Sequence, residues 1–270
     1  GANTLTLSGG GNFQSVGLDL NDANSKLLLN SITVDSVSTS ADSSGLDIDA
    51  DSTVSSLSVA HITPVAIADG ITLSGAITVT AGSIKLAETG TLASTVEMSG
   101  GTLDADNSLT VSGTLTQSGA IRIDVADTKT LTYSGGNLNV GSHTLSIGGA
   151  GTFSNATGSP LVLDVADSIL DLTGNGTISG PMKLESGTLK STGSPTVSGA
   201  MTQSGDTTID VLANKTLTYS GAPFSLGANT LTLTGGGTLV SGGLDLNNAN
   251  SKLLLNSITV DSVSTSADSS

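Results

Sequence analysis

The chain has 270 residues with 23 acids against 8 bases, a net charge of −15, no Cys, no Trp and 2% aromatic residues. The acidic balance excludes nucleic acid and anionic membrane surfaces as partners, and the missing thiols exclude disulfides and thiolate metal sites. Charged residues make up 11%, well below the roughly 25% of an ordinary globular domain, and the apolar mass is aliphatic, which suits a narrow core of stacked Leu, Ile and Val.

Internal repeats decide architecture, so they come first. Residues 1–44 (GANTLTLSGGGNFQSVGLDLNDANSKLLLNSITVDSVSTSADSS) return as residues 227–270 with six differences and no gap, so that Gly1 recurs as Gly227 and every later position follows in step. The organisation this predicts is one full module over 1–226 and the opening of its next copy over 227–270. The chain then reads as a window on a longer tandem array, and its lack of a signal peptide says nothing about the parent protein. No apolar run approaches the roughly 18 residues of a membrane span. Outward positions recur as faithfully as inward ones: Ser31, Thr33, Asp35, Ser38 and Ser40 return as Ser257, Thr259, Asp261, Ser264 and Ser266. Either the duplication is recent or the surface itself works as a repeating unit, with copies packing along and beside one another.

Along the chain a finer rhythm recurs: two apolar residues at i and i+2, a polar gap, then a second such pair. It is seen in LDLNDANSKLLLNS (18–31), LDIDADSTVSSLSV (46–59), AITVTAGSIKLAETG (76–90), NLNVGSHTLSIGG (137–149) and FSLGANTLTLTGG (224–236). Period-two alternation marks short strands buried on one face, and the Gly, Ser, Asn and Asp clusters between them mark turns. The segments GTLTQSGAIRIDVADTKTLTYSG (113–135) and GAMTQSGDTTIDVLANKTLTYSG (199–221) agree at 15 of 23 positions, with LVLDVADSILDLTG (161–174) as a third version. In these copies Ile123, Val125, Leu131 and Tyr133 match Ile209, Val211, Leu217 and Tyr219, and the substitutions fall mostly between them. An inward ladder that fixes the register explains that pattern. Sandwiches and propellers fill wider cores with aromatic residues. The fold expected is therefore all-β, a right-handed parallel β-helix (β-solenoid). With coils of about 20 residues rising about 4.8 Å each, one 226-residue period would rise about 50–55 Å.

The run KTLTYSG…LGANTLTLTGGGTL (215–239), with its NTLTL and GGGTL elements, resembles the repeats of large bacterial surface and secreted β-helix proteins, the autotransporter passengers and filamentous-haemagglutinin-like adhesins. That resemblance implies an extended stalk, filament or adhesin at the cell surface, extracellular and passive. The alternatives are an adhesin whose rod face binds glycans or another cell surface and, more remotely, a polysaccharide-acting β-helix enzyme.

Candidate chemistry is sparse. Asp47, Asp49 and Asp51 alternate in LDIDADS, which places three carboxylates on one outward face, and Asp104 and Asp106 repeat the pattern. A hydrolase sets two carboxylates about 5–9 Å apart in a groove. The single Arg, Arg122, has no basic neighbour in sequence, so a solvated acidic face is the better reading and no catalytic or cofactor-binding residue is assigned. Calcium is the stronger rival, with Asp19, Asn21 and Asp22, their counterparts Asp245 and Asn247, and the Asp47–Asp49–Asp51 series as oxygen ligands. Asp22 becomes Asn248 in the second copy, and neither the twelve-residue calcium loop nor the β-roll nonapeptide is present. Turn-making by Asn and Asp, or stacking as ladders at coil corners, accounts for these residues better than calcium.

Thr-x-Thr pairs at Thr4/Thr6, Thr78/Thr80, Thr114/Thr116, Thr130/Thr132, Thr216/Thr218 and Thr230/Thr232 suggest a water-ordering, ice-binding face, but LDLND, NLNVG and LDLTG interrupt the series. His61 and His143 stand alone. Asn155, Asn175 and Asn214 begin glycosylation sequons, expected to be chance in a bacterial array. The Gly triplets at 9–11 and 235–237 precede no helix, so they read as corners with positive φ rather than phosphate loops. Tyr133 and Tyr219 fall in inward phase, which deprives a glycan-binding rod of aromatic platforms.

Overall fold

The computed structural model describes residues 3–14, 17–39, 45–49, 52–61, 64–67, 72–73, 75–86 and 89–266. Among these residues there is no helix, and every strand pairing in the sheets is parallel. The chain is a β-solenoid. It divides into two compact units, Gly1–Gly136 and Asn137–Ser270.

In the first unit one sheet stacks Thr4–Ser8, Lys26–Asn30, Gly45–Asp49, Pro64–Ile67, Ser83–Leu86, Thr102–Ala105 and Ile121–Val125. A second stacks Thr72–Leu73, Gly90–Leu92, Leu109–Val111 and Thr130–Tyr133. The third runs from Asn12–Phe13 and Leu18–Leu20, both paired with Thr33–Thr39, through Thr53–Val59, Ala76–Val79 and Val96–Met98 to Leu115–Gln117. The second unit repeats the plan. Thr144–Gly149, Ile169–Leu172, Thr188–Ser191, Thr207–Val211, Thr230–Thr234 and Lys252–Leu255 form one sheet. Thr152–Asn155, Thr177–Ile178, Thr196–Val197, Thr216–Tyr219, Thr238–Ser241 and Thr259–Val260 form the next. The last face is built by Leu138–Asn139, Leu161–Leu163, Met182–Leu184 and Met201–Gln203, and separately by Phe224–Ser225, Leu244–Leu246 and Val263–Thr265.

The ladders explain why these residues form these strands. Inward side chains meet their own kind one coil on: Leu27 over Leu46, Leu103 over Ile123, Leu170 over Leu189 over Ile209 over Leu233. Each of them is at most 1% exposed. A slip by one residue would turn such a ladder outward, so burial holds the register. The matched residues of the internal copies, Ile123 to Tyr133 and Ile209 to Tyr219, are all buried as the alternation requires.

The period of the fold is the coil, not the 226-residue module expected from the sequence. Coil length varies, from the short register step between Leu46 and Val65 to the long one between Thr144 and Ile169. Each coil pairs only with its neighbours and so lengthens freely at its corners. The long repeat is laid over this coil rhythm without disturbing it. Thr4 pairs Lys26, Asn12 pairs Thr33 and Leu18 pairs Val37; in the second copy Thr230 pairs Lys252, Thr238 pairs Thr259 and Leu244 pairs Val263. Each pair in the second copy joins the counterparts of the two residues paired in the first. The corners match as well, with Ser31 at φ 52° and Ser257 at 55°, and the Gly triplets hold positive φ at Gly9, Gly10, Gly235 and Gly236.

Candidate functional site

The coil sorts outward side chains by chemistry, face by face. In the first unit Asp47, Lys85, Asp104, Arg122 and Asp124 all belong to the sheet that begins at Thr4–Ser8. Lys85 stands in register with Asp104, and Asp104 with Asp124. In the second unit Asp171, Lys190 and Asp210 form one column, the ammonium between two carboxylates. Alternating signs at coil spacing stabilise such a column, although exposed pairs contribute little individually.

Lys85, Asp104 and Asp106 make the tightest cluster. The Lys85 ammonium is paired with Asp106, whose carboxyl it holds below the usual carboxylate range, and the same bond raises Lys85. Asp104 is pushed up, first by burial and then by the negative charge of Asp106. Arg122 bonds Asp124 Oδ2 from Nη2 at 3.1 Å and Nε at 3.3 Å. The basic partner that Asp104 and Asp106 lack in local sequence is thus supplied by Lys85 from the preceding coil. The signal was the coil step itself, which sets Lys85 beside Asp104.

Of the calcium candidates, Asp19, Asp245 and Asn247 accept hydrogen bonds from protein groups. Asp19 accepts a hydrogen bond from Ser38 Oγ at 2.9 Å, and its copy Asp245 accepts from Ser266 Oγ at 2.8 Å and Ser264 Oγ at 3.4 Å. Asn247 Oδ1 accepts from the Gly227 amide at 3.0 Å, which ties it to the preceding coil, and Asn248 Oδ1 accepts from the Asn250 amide at 2.9 Å, which makes a turn. Asp22 receives Ser25 through its carbonyl oxygen, and Asn21 is exposed beside it. Asp47 is exposed on the charged face, Asp49 lies further along the same strand, and Asp51 falls outside the described residues. Among the described residues no three His, Asp or Glu side chains gather as a metal set. His61 and His143 lie in different units.

The face that sequence reasoning missed carries threonine. In the first unit Thr72, Thr91, Thr110 and Thr132 stand in one outward column, and in the second Thr152, Thr177, Thr196 and Thr218 do the same. Each is followed by a buried residue, which fixes its outward direction. The strands of these two faces contain no charged residue, in a chain of net charge −15. The interruptions expected from LDLND, NLNVG and LDLTG do not occur here, because those segments lie on other faces. What is regular is one Thr in each of four successive coils of each unit, before Val240 takes the position after Thr218; the Thr-x-Thr pairs themselves scatter over several faces.

Aromatic rings are mostly withdrawn from the surface. Tyr133, Tyr219, Phe153 and Phe224 are buried, and Phe13 is 36% exposed. The Tyr219 hydroxyl donates to the Ala222 carbonyl at 2.5 Å and accepts from the Met201 amide at 3.3 Å; its copy Tyr133 accepts from the Leu115 amide at 3.4 Å. Of the sequons, Asn155 is buried, with Nδ2 bridging the Ser159 and Pro181 carbonyls at 2.9 and 2.8 Å, whereas Asn175 and Asn214 are exposed.

Comparison with known proteins finds no matching family model, no matching curated protein and no matching solved structure.

Proposed function

We propose that this chain is a structural repeat segment of an extracellular rod, filament or sheath at a bacterial cell surface, acting passively rather than as an enzyme. The observation that carries this reading is the identity of register in the two copies of the long repeat. A segment that re-enters the coil stack in the same register extends the solenoid without a change of pitch, which is what a spacer of variable length needs. The partnered carboxylates of both charged columns fit the same reading, since their neighbours are lysines of adjoining strands and, for Asp124, Arg122 of its own strand.

The threonine faces favour a second reading, an adhesin. A charge-free file of hydroxyls and methyls, one per coil, suits a neutral and regular surface such as a polysaccharide, and avoids the self-repulsion of the acidic faces. Binding of the purified chain to immobilised neutral glycans and to polysaccharide fibres separates the two. The structural reading predicts no retention. Retention abolished by Thr110→Lys and Thr196→Lys would establish the adhesin.

A further inference from the structure

The last face of the second unit is broken at one step. Met201–Gln203 pairs back with Met182–Leu184, and Phe224–Ser225 pairs forward with Leu244–Leu246, but no ladder joins Met201–Gln203 to Phe224–Ser225. The same two coils are laddered on both other faces, through Thr207–Val211 on Thr230–Thr234 and Thr216–Tyr219 on Thr238–Ser241. The break is confined to one face of an otherwise continuous stack.

Backbone groups point into the gap from either side. The Met182 amide bonds the Ala200 carbonyl and the Ser204 amide bonds the Leu184 carbonyl. Ala200 and Ser204 thus face back, and Met201 and Gln203, which alternate with them, face the next coil. The Phe224 and Leu226 amides bond the Gly243 and Asp245 carbonyls, so Ser225 faces back towards the gap. Pro223, in the same phase, has no amide hydrogen to give. No backbone–backbone bond crosses between these two strands. An open groove of about 410 Å³ lies there, with Thr202, Gln203, Pro223 and Ser225 in its lining.

Side chains cross the gap instead. The Tyr219 hydroxyl stands between the Met201 amide and the Ala222 carbonyl, at 3.3 and 2.5 Å. Gln203 Nε2 donates to the Thr230 carbonyl of the next coil at 2.9 Å, and Asn229 Nδ2 reaches the Gln203 carbonyl at 3.5 Å. In the first unit Leu115–Gln117, the sequence copy of Met201–Gln203, is the last strand of its sheet, and its Leu115 amide meets the Tyr133 hydroxyl. We propose that the step from Met201–Gln203 to Phe224–Ser225 is a hinge seam, latched by Tyr219 and Gln203, at which this face opens while the other two stay laddered. Opening the seam breaks a few side-chain bonds, whereas parting Met182–Leu184 from Met201–Gln203 breaks a backbone ladder. A stiff stack thereby gains a compliant step. The seam follows from the fold alone and does not depend on what the rod is for.

Native-state hydrogen exchange of the full 270-residue chain, followed over a series of low urea concentrations, tests this. Met201 reports on the seam. Thr238, bonded to the Lys215 carbonyl at 2.9 Å, reports on the same two coils at the neighbouring face. Met182, bonded to the Ala200 carbonyl at 2.9 Å, reports on the same face one coil earlier. The Met201 amide is expected to exchange at least about tenfold faster than the other two, at a rate that urea barely changes, as a local opening exposing little surface does. Gln203→Met, which removes one latch, should speed Met201 by about fivefold more, the worth of one hydrogen bond, and leave Thr238 unchanged. An unmoved Met201 in that variant would overturn the latching role of Gln203. Should the variant lose its fold, the wild-type urea slopes decide alone. A Met201 amide that matches Thr238 and Met182 in rate and urea slope would overturn the proposal, because the coils would then part as a whole. Its failure leaves glycan retention, the test of the functional reading, unaffected.

Discussion

Tyr219→Phe removes one oxygen from the interior and leaves the ring in place. The hydroxyl serves two backbone groups, accepting from the Met201 amide at 3.3 Å and donating to the Ala222 carbonyl at 2.5 Å. Tyr219 is 2% exposed, so water cannot replace the lost partner without opening the coil. Leaving a buried polar group unsatisfied costs about 1–3 kcal/mol. Solenoids unfold segment by segment, which makes a single melting temperature a blunt readout. Native-state hydrogen exchange at Met201 is sharper, because the amide loses its acceptor in the variant. The expected result is a fall in protection of roughly 5- to 150-fold, the equivalent of that energy. The fall should be confined to Met201, the strand paired with it, Met182–Leu184, and the strand that carries the ring, Thr216–Tyr219. Tyr133→Phe should do the same at Leu115. Unchanged protection at Met201 would refute the assignment of the hydroxyl as its acceptor.

Other consequences follow from the coil geometry. Gly199→Ala would place a Cβ 1.8 Å from the Gly180 carbonyl oxygen, so it should lower the unfolding midpoint in urea; Gly158→Ala meets nothing within 4 Å and should raise stability by about 0.4–1 kcal/mol. In a pH titration followed by carboxyl NMR, Asp104 should protonate above the ordinary Asp value and Asp106 below it. Asp106, lowered in the fold, contributes stability that is lost as pH falls through its folded pKa. Asp104, raised, stabilises below its unfolded value and loses that contribution as pH rises through its folded pKa. Lys85→Met should raise both carboxyls, and an unmoved Asp106 would refute the ion pair. Expressed through a eukaryotic secretory route, the chain should carry glycans at the exposed Asn175 and Asn214 but not at the buried Asn155, as peptide mass mapping would show.

Much of this architecture is legible in the residues because a solenoid writes its core locally. The i, i+2 apolar pairs marked the strands, and the matched copies around Tyr133 and Tyr219 marked the inward phase. What local reading cannot supply is which strand lies over which. The step from Leu46 to Val65 is shorter than the step from Thr144 to Ile169, so the phase between faces drifts along the chain. That drift hid the threonine columns, where Thr91 and Thr110 lie closer in sequence than Thr152 and Thr177. It also concealed Lys85 as the neighbour of Asp104 and Asp106, and it made the 226-residue offset look like the period of the fold. Sequence also could not show that Asp19 and its copy Asp245 are bonded by Ser38, Ser264 and Ser266 from the next coil, because those partners lie about a coil away along the chain.

The absence of cysteine makes the coil register directly measurable. Thr91 and Thr110 face outward in adjacent coils, and Thr132 lies one coil beyond Thr110. Strands one coil apart are about 4.8 Å from each other and two coils apart about 9.6 Å, while a disulfide spans Cα separations of roughly 4.4–6.8 Å. Under mild oxidation at low protein concentration, the double variant Thr91→Cys with Thr110→Cys should close an intramolecular disulfide, and Thr91→Cys with Thr132→Cys should not. Cross-linking of the second pair with none in the first would contradict the solenoid register on which the rod and its threonine faces both depend.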